Sequence, residues 1–242
     1  MKLTEHARNH PLSVGSDAKT VKGEKKGYLT GILYLAPSTM SGYDMCPMST
    51  MGCEASCLGA YAGRVTFTPG ILKARMAKAQ WYMEDREEFL SAVYTQIAAI
   101  KRKAERLGMI PAIRLNGSSD LPKMALAMVE AFPNVQFYDY TKIPMPWLRV
   151  RNNYSLTFSR SETNGLSCIK ALEHGVNVCV VFDTPKGKPL PKKFGFAPHW
   201  YDVFDADDTD LRFLDPKGVV VGVRAKGKKA KHDTSGFVIL GQ

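Results

Sequence analysis

The chain has 242 residues, 45% of them hydrophobic, and no apolar run approaches the roughly 20 residues that span a bilayer, so a membrane-spanning protein and a disordered chain are both set aside. Thirty-three Lys and Arg against 23 Asp and Glu give a formal net charge of +10, which makes a polyanion, nucleic acid first, the expected partner and leaves no role for a membrane. Five cysteines, an odd number with three bunched together, and an N-terminus without an apolar signal core point to a reducing, cytoplasmic location and to thiols kept as ligands.

Residues 1–27 are polar and rich in Gly and Lys, and read as an N-terminal arm with a short strand; residues 28–242 read as one α/β domain. Tyr28 to Leu35 is β-rich and is stopped by Pro37. Directly after it comes Cys46-Pro-Met-Ser-Thr-Met-Gly-Cys53-Glu-Ala-Ser-Cys57. From Pro69 to Leu107 the pattern is helical in two pieces, the second with Phe89, Val93, Ile97, Ile100, Ala104 and Leu107 on one face and a stop at Gly108. A strand over 111–115, a helix over 121–132 and a strand over 135–140 follow, and the cycle repeats with a strand at 154–158, a helix to Glu173 and a buried strand at 176–182. Runs at 218–223 and 236–240 read as further strands. Strands apolar on both faces that alternate with helices indicate a parallel sheet, so the expected fold is a single closed or partly closed TIM-like (β/α) barrel, with a doubly wound open sheet as the alternative. Neither a GxGxxG nor a Walker A loop is present.

Three thiols at C-x6-C-x3-C spacing, bent by Pro47 and Gly52, can converge on one point where a regular helix or strand would scatter them. Cys46, Cys53 and Cys57 are therefore the expected ligands of zinc or of an iron–sulfur cluster. Cys168 and Cys179 read as core residues, and the histidines at 6, 10, 174, 199 and 232 are too dispersed to name a fourth ligand, His199 being the nearest to a candidate. In parallel α/β folds the working groups gather at the carboxyl ends of strands. Those positions hold the three cysteines, Asn116, Ser119 and Asp120, Asp139 and Lys142, Arg160 and Glu162, and Asp183. Asp139 is the sharpest of these, since a carboxylate between Tyr138 and Tyr140 in a buried strand needs a partner or a purpose. Arg114 is an expected partner for one of the acids. The excess positive charge concentrates in Lys101 to Arg106, in Lys186, Lys188, Lys192 and Lys193, and in Arg224, Lys226, Lys228, Lys229 and Lys231, the last two groups without Lys231 being the expected contacts to a nucleic-acid backbone. Tyr61, Phe67, Trp81, Trp147 and Trp200 are candidates for base stacking, although core packing is the commoner fate of such residues.

Ser13-Val14-Gly15, Lys19 to Glu24, the cysteine loop with Ala62-Gly63-Arg64, Arg114 to Asp120, Phe137 to Lys142 and Leu156 to Ser159 together resemble the gene product 88 family of phage and mobile-element proteins, over nearly the whole chain. The resemblance implies a phage protein working in the host cytoplasm. It extends to the phage DNA-guanine transglycosylases that insert 7-deazaguanines, which are similar to tRNA-guanine transglycosylases: α/β barrels with a nucleophilic Asp, a second Asp as acid/base and a structural zinc. The tRNA-type enzymes carry their zinc cysteines late in the chain, whereas here they come early, where a radical SAM enzyme has its cluster loop; the C-x6-C-x3-C spacing departs from the C-x3-C-x2-C of that family.

The leading expectation is thus a DNA-modifying transglycosylase that exchanges guanine for a 7-deazaguanine, with Asp139 as nucleophile and Asp120 as acid/base. Asn116, Ser119, Lys142, Arg160 and Glu162 would hold the base, and Cys46, Cys53 and Cys57 a structural zinc. The alternatives are an enzyme using a [4Fe–4S] cluster with S-adenosylmethionine on a nucleic acid or nucleotide, and a metal-stabilised nucleic-acid binder without catalysis.

Overall fold

In the computed structural model, which describes residues 3–15 and 18–241, the polar first segment is woven into the sheet. Helix α1 (Glu5–Asn9), capped by the Thr4 hydroxyl, leads into strand β1 (Leu12–Val14), which pairs antiparallel with β2 (Tyr28–Leu33) on either side of helix α2 (Ala18–Glu24). After β2 the cysteine loop carries two short helices, α3 (Met51–Ala55) and α4 (Leu58–Tyr61), and a 3-10 turn at Gly63–Thr66. Helices α5 (Pro69–Glu84) and α6 (Arg86–Arg106) are divided by Asp85, which ends the first and caps the second by accepting from the Glu88 amide. The expected break inside 69–107 therefore falls at a residue that serves both helices.

Strand β3 (Ile110–Arg114), helix α7 (Pro122–Ala131), strands β4 (Gln136–Thr141) and β5 (Tyr154–Ser159), helix α8 (Gly165–Glu173) and strand β6 (Val178–Phe182) repeat the α/β rhythm that the periodicity predicts. The chain then forms a hairpin, β7 (Lys193–Phe196) and β8 (His199–Asp205), that the Pro/Lys-rich composition of this stretch concealed. Strand β9 (Val220–Arg224), the short helix α9 (Lys228–Lys231) and strand β10 (Val238–Ile239) complete the fold.

The result is a mixed α/β architecture on one ten-stranded, mostly parallel sheet. Its order is β1-β2-β3-β4-β5-β6-β9-β8-β7, and β10 adds to the carboxyl half of β6. This path is open: among the described residues no pairing joins β1 to β7, so the strands themselves do not close a barrel.

Alternation along the strands assigns the two faces. Leu29, Leu33, Ile113, Leu115 and Phe137 pack against Phe89, Val93 and Ile97 of α6 and Met124 and Met128 of α7, and Phe158, Val178, Val180 and Phe182 continue this layer under α8. On the opposite face α2 packs against β2, with Gly23 on Thr30, and a returning loop covers the strands beyond it. Between β8 and β9, Leu211 and Phe213 fold back onto Ala112 and Tyr138, and the Phe213 ring meets Tyr28 and Tyr138 edge-on with centroids 5.1 and 5.5 Å away. No helix among the described residues is long and apolar enough to cross a membrane.

Candidate functional site

A cavity of about 320 Å³ opens at the carboxyl ends of the parallel strands. The cysteine loop contributes Cys46, Cys53 and Cys57, the turn after β3 contributes Asn116 to Asp120, and β4 contributes Tyr140, Thr141 and Lys142. Ser159 on β5, Cys179 on β6 and Arg224 on β9 complete the floor and far wall, with Phe237 and Ala230 at the rim.

Local chemistry fixes the loop that carries the thiols. Thr50 caps α3 by accepting from the Cys53 amide, and its hydroxyl donates 2.8 Å to Glu162 Oε2, while the Gly52 amide donates 3.0 Å to Glu162 Oε1. Glu54 accepts from the hydroxyls of Ser38 and Ser49, and the Asp44 side chain accepts from the Cys46 amide at 2.8 Å. The Asp120 amide donates 2.8 Å to the Met45 carbonyl, which ties the loop to the turn after β3. Cys46, Cys53 and Cys57 are free, half-buried thiols. Burial pushes Cys46 up to about 12 and raises Cys57, and the neighbouring thiols add to both shifts. At neutral pH neither is a thiolate unless a cation lies beside it. Burial works against the Lys142 ammonium, but the neighbouring Cys53 and Asp120 outweigh it and hold its pKa above the usual value.

Asp120 faces the cavity. Its Oδ2 accepts from the Thr141 hydroxyl at 3.1 Å and the Lys142 amide at 2.7 Å, and burial raises its pKa against those bonds. Asp139 does not line the cavity. It shares the helix-facing side of β4 with Phe137, is 1% exposed, and accepts from the Asn116 amide at 2.7 Å, Asn116 Nδ2 at 3.2 Å and the Tyr154 hydroxyl at 3.1 Å. Strand parity is the cause, because the side chains of Tyr138, Tyr140 and Lys142 take the opposite face. Asp139 thus organises the turn after β3 from behind, holding Asn116, whose Oδ1 accepts from the Ser119 hydroxyl and the Leu121 amide.

The remaining expected groups divide. Asn116, Ser119 and Lys142 meet at the cavity, whereas Arg160 donates to the carbonyls of Gly236 and Phe237 and Glu162 anchors α3, so both act on the walls. Asp183 accepts from the Gly241 amide. Arg224 is held between Asp205 and Asp207, Lys226 pairs with Asp207 at 3.1 Å and Lys193 with Asp202 at 3.9 Å. Lys186, Lys188 and Lys192 stand exposed on the segment from β6 to β7, away from the cavity wall, and Lys228 and Lys229 lie on α9. His199 is exposed on the β7–β8 hairpin, apart from the thiols. Of the two cysteines expected in the core, Cys168 lies there and Cys179, though buried, forms part of the cavity floor. Trp81 packs on Phe89, Trp147 stacks on His174 and Trp200 is exposed.

Sequence reasoning missed Lys19, Tyr140 and Asp210, all on the cavity wall. Tyr140 was legible from parity with Lys142; Asp210 lies in the acidic run Asp205-Ala-Asp-Asp-Thr-Asp210, where nothing local separates it from a solvated turn.

The sequence model described as Gene product 88 matches residues 8–241. It gives no support to kinship with transglycosylases or radical SAM enzymes. Searches of curated proteins and of solved structures returned no match.

Proposed function

From the premise that this chain belongs to the gene product 88 family, a phage gene-product family, we propose that it is an enzyme whose cavity holds an iron–sulfur cluster on Cys46, Cys53 and Cys57 and takes an anionic substrate of the nucleotide or nucleic-acid class. The observation that carries the reading is that three thiols of one loop open into the same cavity as Asp120 and Lys142, at the strand ends where parallel α/β folds place their chemistry. A cluster is favoured over a single zinc by the donor set. A structural zinc is closed by four protein ligands, and the cysteine loop itself supplies three. A cuboidal cluster spreads its thiolates further apart and accepts three cysteines, leaving one iron open. When bound, such a cluster supplies one-electron chemistry and an open position for a substrate or S-adenosylmethionine.

The residues of the chain have separate tasks in this reading. Asp120 offers a carboxylate whose raised pKa suits proton exchange with a bound substrate, and Lys142 supplies a fixed positive charge beside the thiols. Asp139 positions Asn116 and does not touch substrate. Base exchange through Asp139 and Asp120 is the weaker reading, since it needs both carboxylates open to one cavity and Asp139 is enclosed. We also read the sheet as a partly closed barrel: the segment after β8, at the far end of the strand order, reaches back to Tyr28 on β2 and Arg114 on β3.

Anaerobic purification with iron and sulfide analysis tests the proposal. A brown protein with absorbance near about 400 nm and about four irons per chain is expected, lost in Cys46→Ser, Cys53→Ser and Cys57→Ser and kept in Cys168→Ser. A colourless protein carrying one zinc per chain, whether or not the variants lose it, overturns it.

A further inference from the structure

We infer that the substrate admitted to this cavity is a single-stranded polynucleotide whose backbone crosses the wall formed by α9 and the Tyr61–Phe67 stretch. The inference rests on the cavity reading above and adds to it the substrate class and the route of entry. Ala230 of α9 and Leu58 of α4 both line the cavity, so these two short helices are two sides of one mouth. They touch at Gly227, where φ is +86° and an added Cβ would lie 2.8 Å from the Tyr61 carbonyl oxygen, a contact that only a glycine permits.

Charge on α9 differs from that of Arg224 and Lys226, which precede it in the chain. Arg224, Lys226, Lys193 and Lys101 each sit against a carboxylate. Lys228, Lys229 and Lys231 are exposed, and among the described residues none of the three has a carboxylate partner. Lys229 instead lies 3.5 Å from the centre of the Tyr61 ring, which fixes the side chain without neutralising it. Three unneutralised ammonium groups on one helical turn favour an anion of repeating charge.

The chain segments on either side of Tyr61 carry exposed apolar side chains. Phe67 is 85% exposed, Met51 is 87% exposed, and Leu58 is half exposed at the lip. Phosphates matched to the lysines and bases matched to an exposed aromatic face are the two halves of single-strand recognition. An acidic peptide would use the lysines and leave the ring idle. The cavity lies at the small end of ligand pockets, with room for one nucleoside unit and none for a duplex.

The test is fluorescence anisotropy with a labelled oligothymidine across a salt series, on anaerobically purified protein, with iron measured on every preparation. The combined variant Lys228→Ala, Lys229→Ala, Lys231→Ala is expected to bind more weakly, with the slope of log affinity against log salt smaller by about two, as for three lost phosphate contacts on a single strand. Phe67→Ala is expected to lose about tenfold in affinity or more with the slope unchanged. The pair Lys103→Ala, Arg106→Ala on α6 should alter neither. An unchanged slope in the α9 variant overturns the inference, as does equal competition by polyglutamate or by vesicles of an anionic lipid. Retained iron with lost strand binding in the α9 variant supports it. Strand binding through α9 in protein that never holds iron leaves the strand site standing and removes the cluster.

Discussion

Arg114 Nη1 on β3 lies 2.8 Å from Asp210 Oδ2, across 96 residues of sequence, and this buried pair ties the segment after β8 to the opposite side of the sheet. Lys19 of α2 approaches the other carboxylate oxygen at 3.4 Å, and Lys22 of the same helix donates to the Asp207 carbonyl. The open strand path is thus bridged by ion pairs and by the packing of Phe213. Asp210→Asn leaves Arg114 a buried charge without its carboxylate and is expected to cost about 3–5 kcal/mol; Arg114→Met is expected to cost less, since Lys19 still faces Asp210, and the double replacement should cost less than the sum. Urea denaturation of the four proteins measures this; single variants within about 0.5 kcal/mol of wild type would show the bridge to be unimportant.

Asp139 predicts a pH dependence. Burial pushes its carboxyl up to about 7, against the three donors from Asn116 and Tyr154. The folded chain therefore holds a proton between about pH 4 and pH 7 that the unfolded chain has released. Its contribution to stability is complete below that window and is lost as pH rises through it, by at most about 1.4 kcal/mol per pH unit. Asp210 acts in the opposite sense. Burial would raise it, but Lys19, Arg114 and Arg212 hold it at about 2, so its contribution is present above about pH 4 and is lost as pH falls towards 2. Urea midpoints measured from pH 3 to 8 should fall on both sides of a maximum near about pH 4–5. Asp139→Asn, which mimics the protonated carboxyl, should make the alkaline side shallower and leave the acid side unchanged, the remaining slope coming from Asp215, which burial pushes up to about 6.

Glu162 holds the thiol loop without lining the cavity, through Thr50 and the Gly52 amide. Glu162→Gln weakens two charge-assisted bonds at a half-exposed site, so the expected loss of global stability is small, about 1 kcal/mol. Iron retention during gel filtration should fall by more than that loss accounts for. Full retention would show that the cysteine loop keeps its shape without this anchor.

Gly117 marks where the turn after β3 presses on β2. A Cβ there would lie 2.6 Å from the Leu33 carbonyl oxygen and 2.7 Å from Tyr34 Cδ1, and the first of these is backbone that cannot rotate away. Gly117→Ala should cost about 1–3 kcal/mol by overpacking and, by shifting Ser118 to Asp120, weaken oligothymidine binding as well. A thermal melt and the anisotropy assay read the two effects separately, and a variant unchanged in both would contradict this packing.

Much of the site was legible before folding, because a thiol loop after a β-rich run and polar turns after apolar runs are local patterns. They place Cys46, Cys53, Cys57, Asn116, Ser119, Asp120 and Lys142 at strand ends, and the fold sets these residues around one cavity. The reading of Asp139 shows the limit. Its burial was foreseen, but which face of β4 it takes depends on where the strand begins and on what packs on each side, and a shift of one residue exchanges the faces.

The sequence by itself determined the α/β rhythm, the division of α5 from α6, the positive charge and the family, since each is written in periodicity, caps, counts or motifs that need no distant partner. Only the tertiary structure decided that β7 and β8 form a hairpin, that Asp210 meets Arg114, that Arg224 and Lys226 are paired with carboxylates while the α9 lysines are not, and that the sheet is bridged rather than closed by strands. These are contacts between segments far apart in the chain, chosen by which buried charges find partners and which faces are left to cover, and no local pattern encodes that choice.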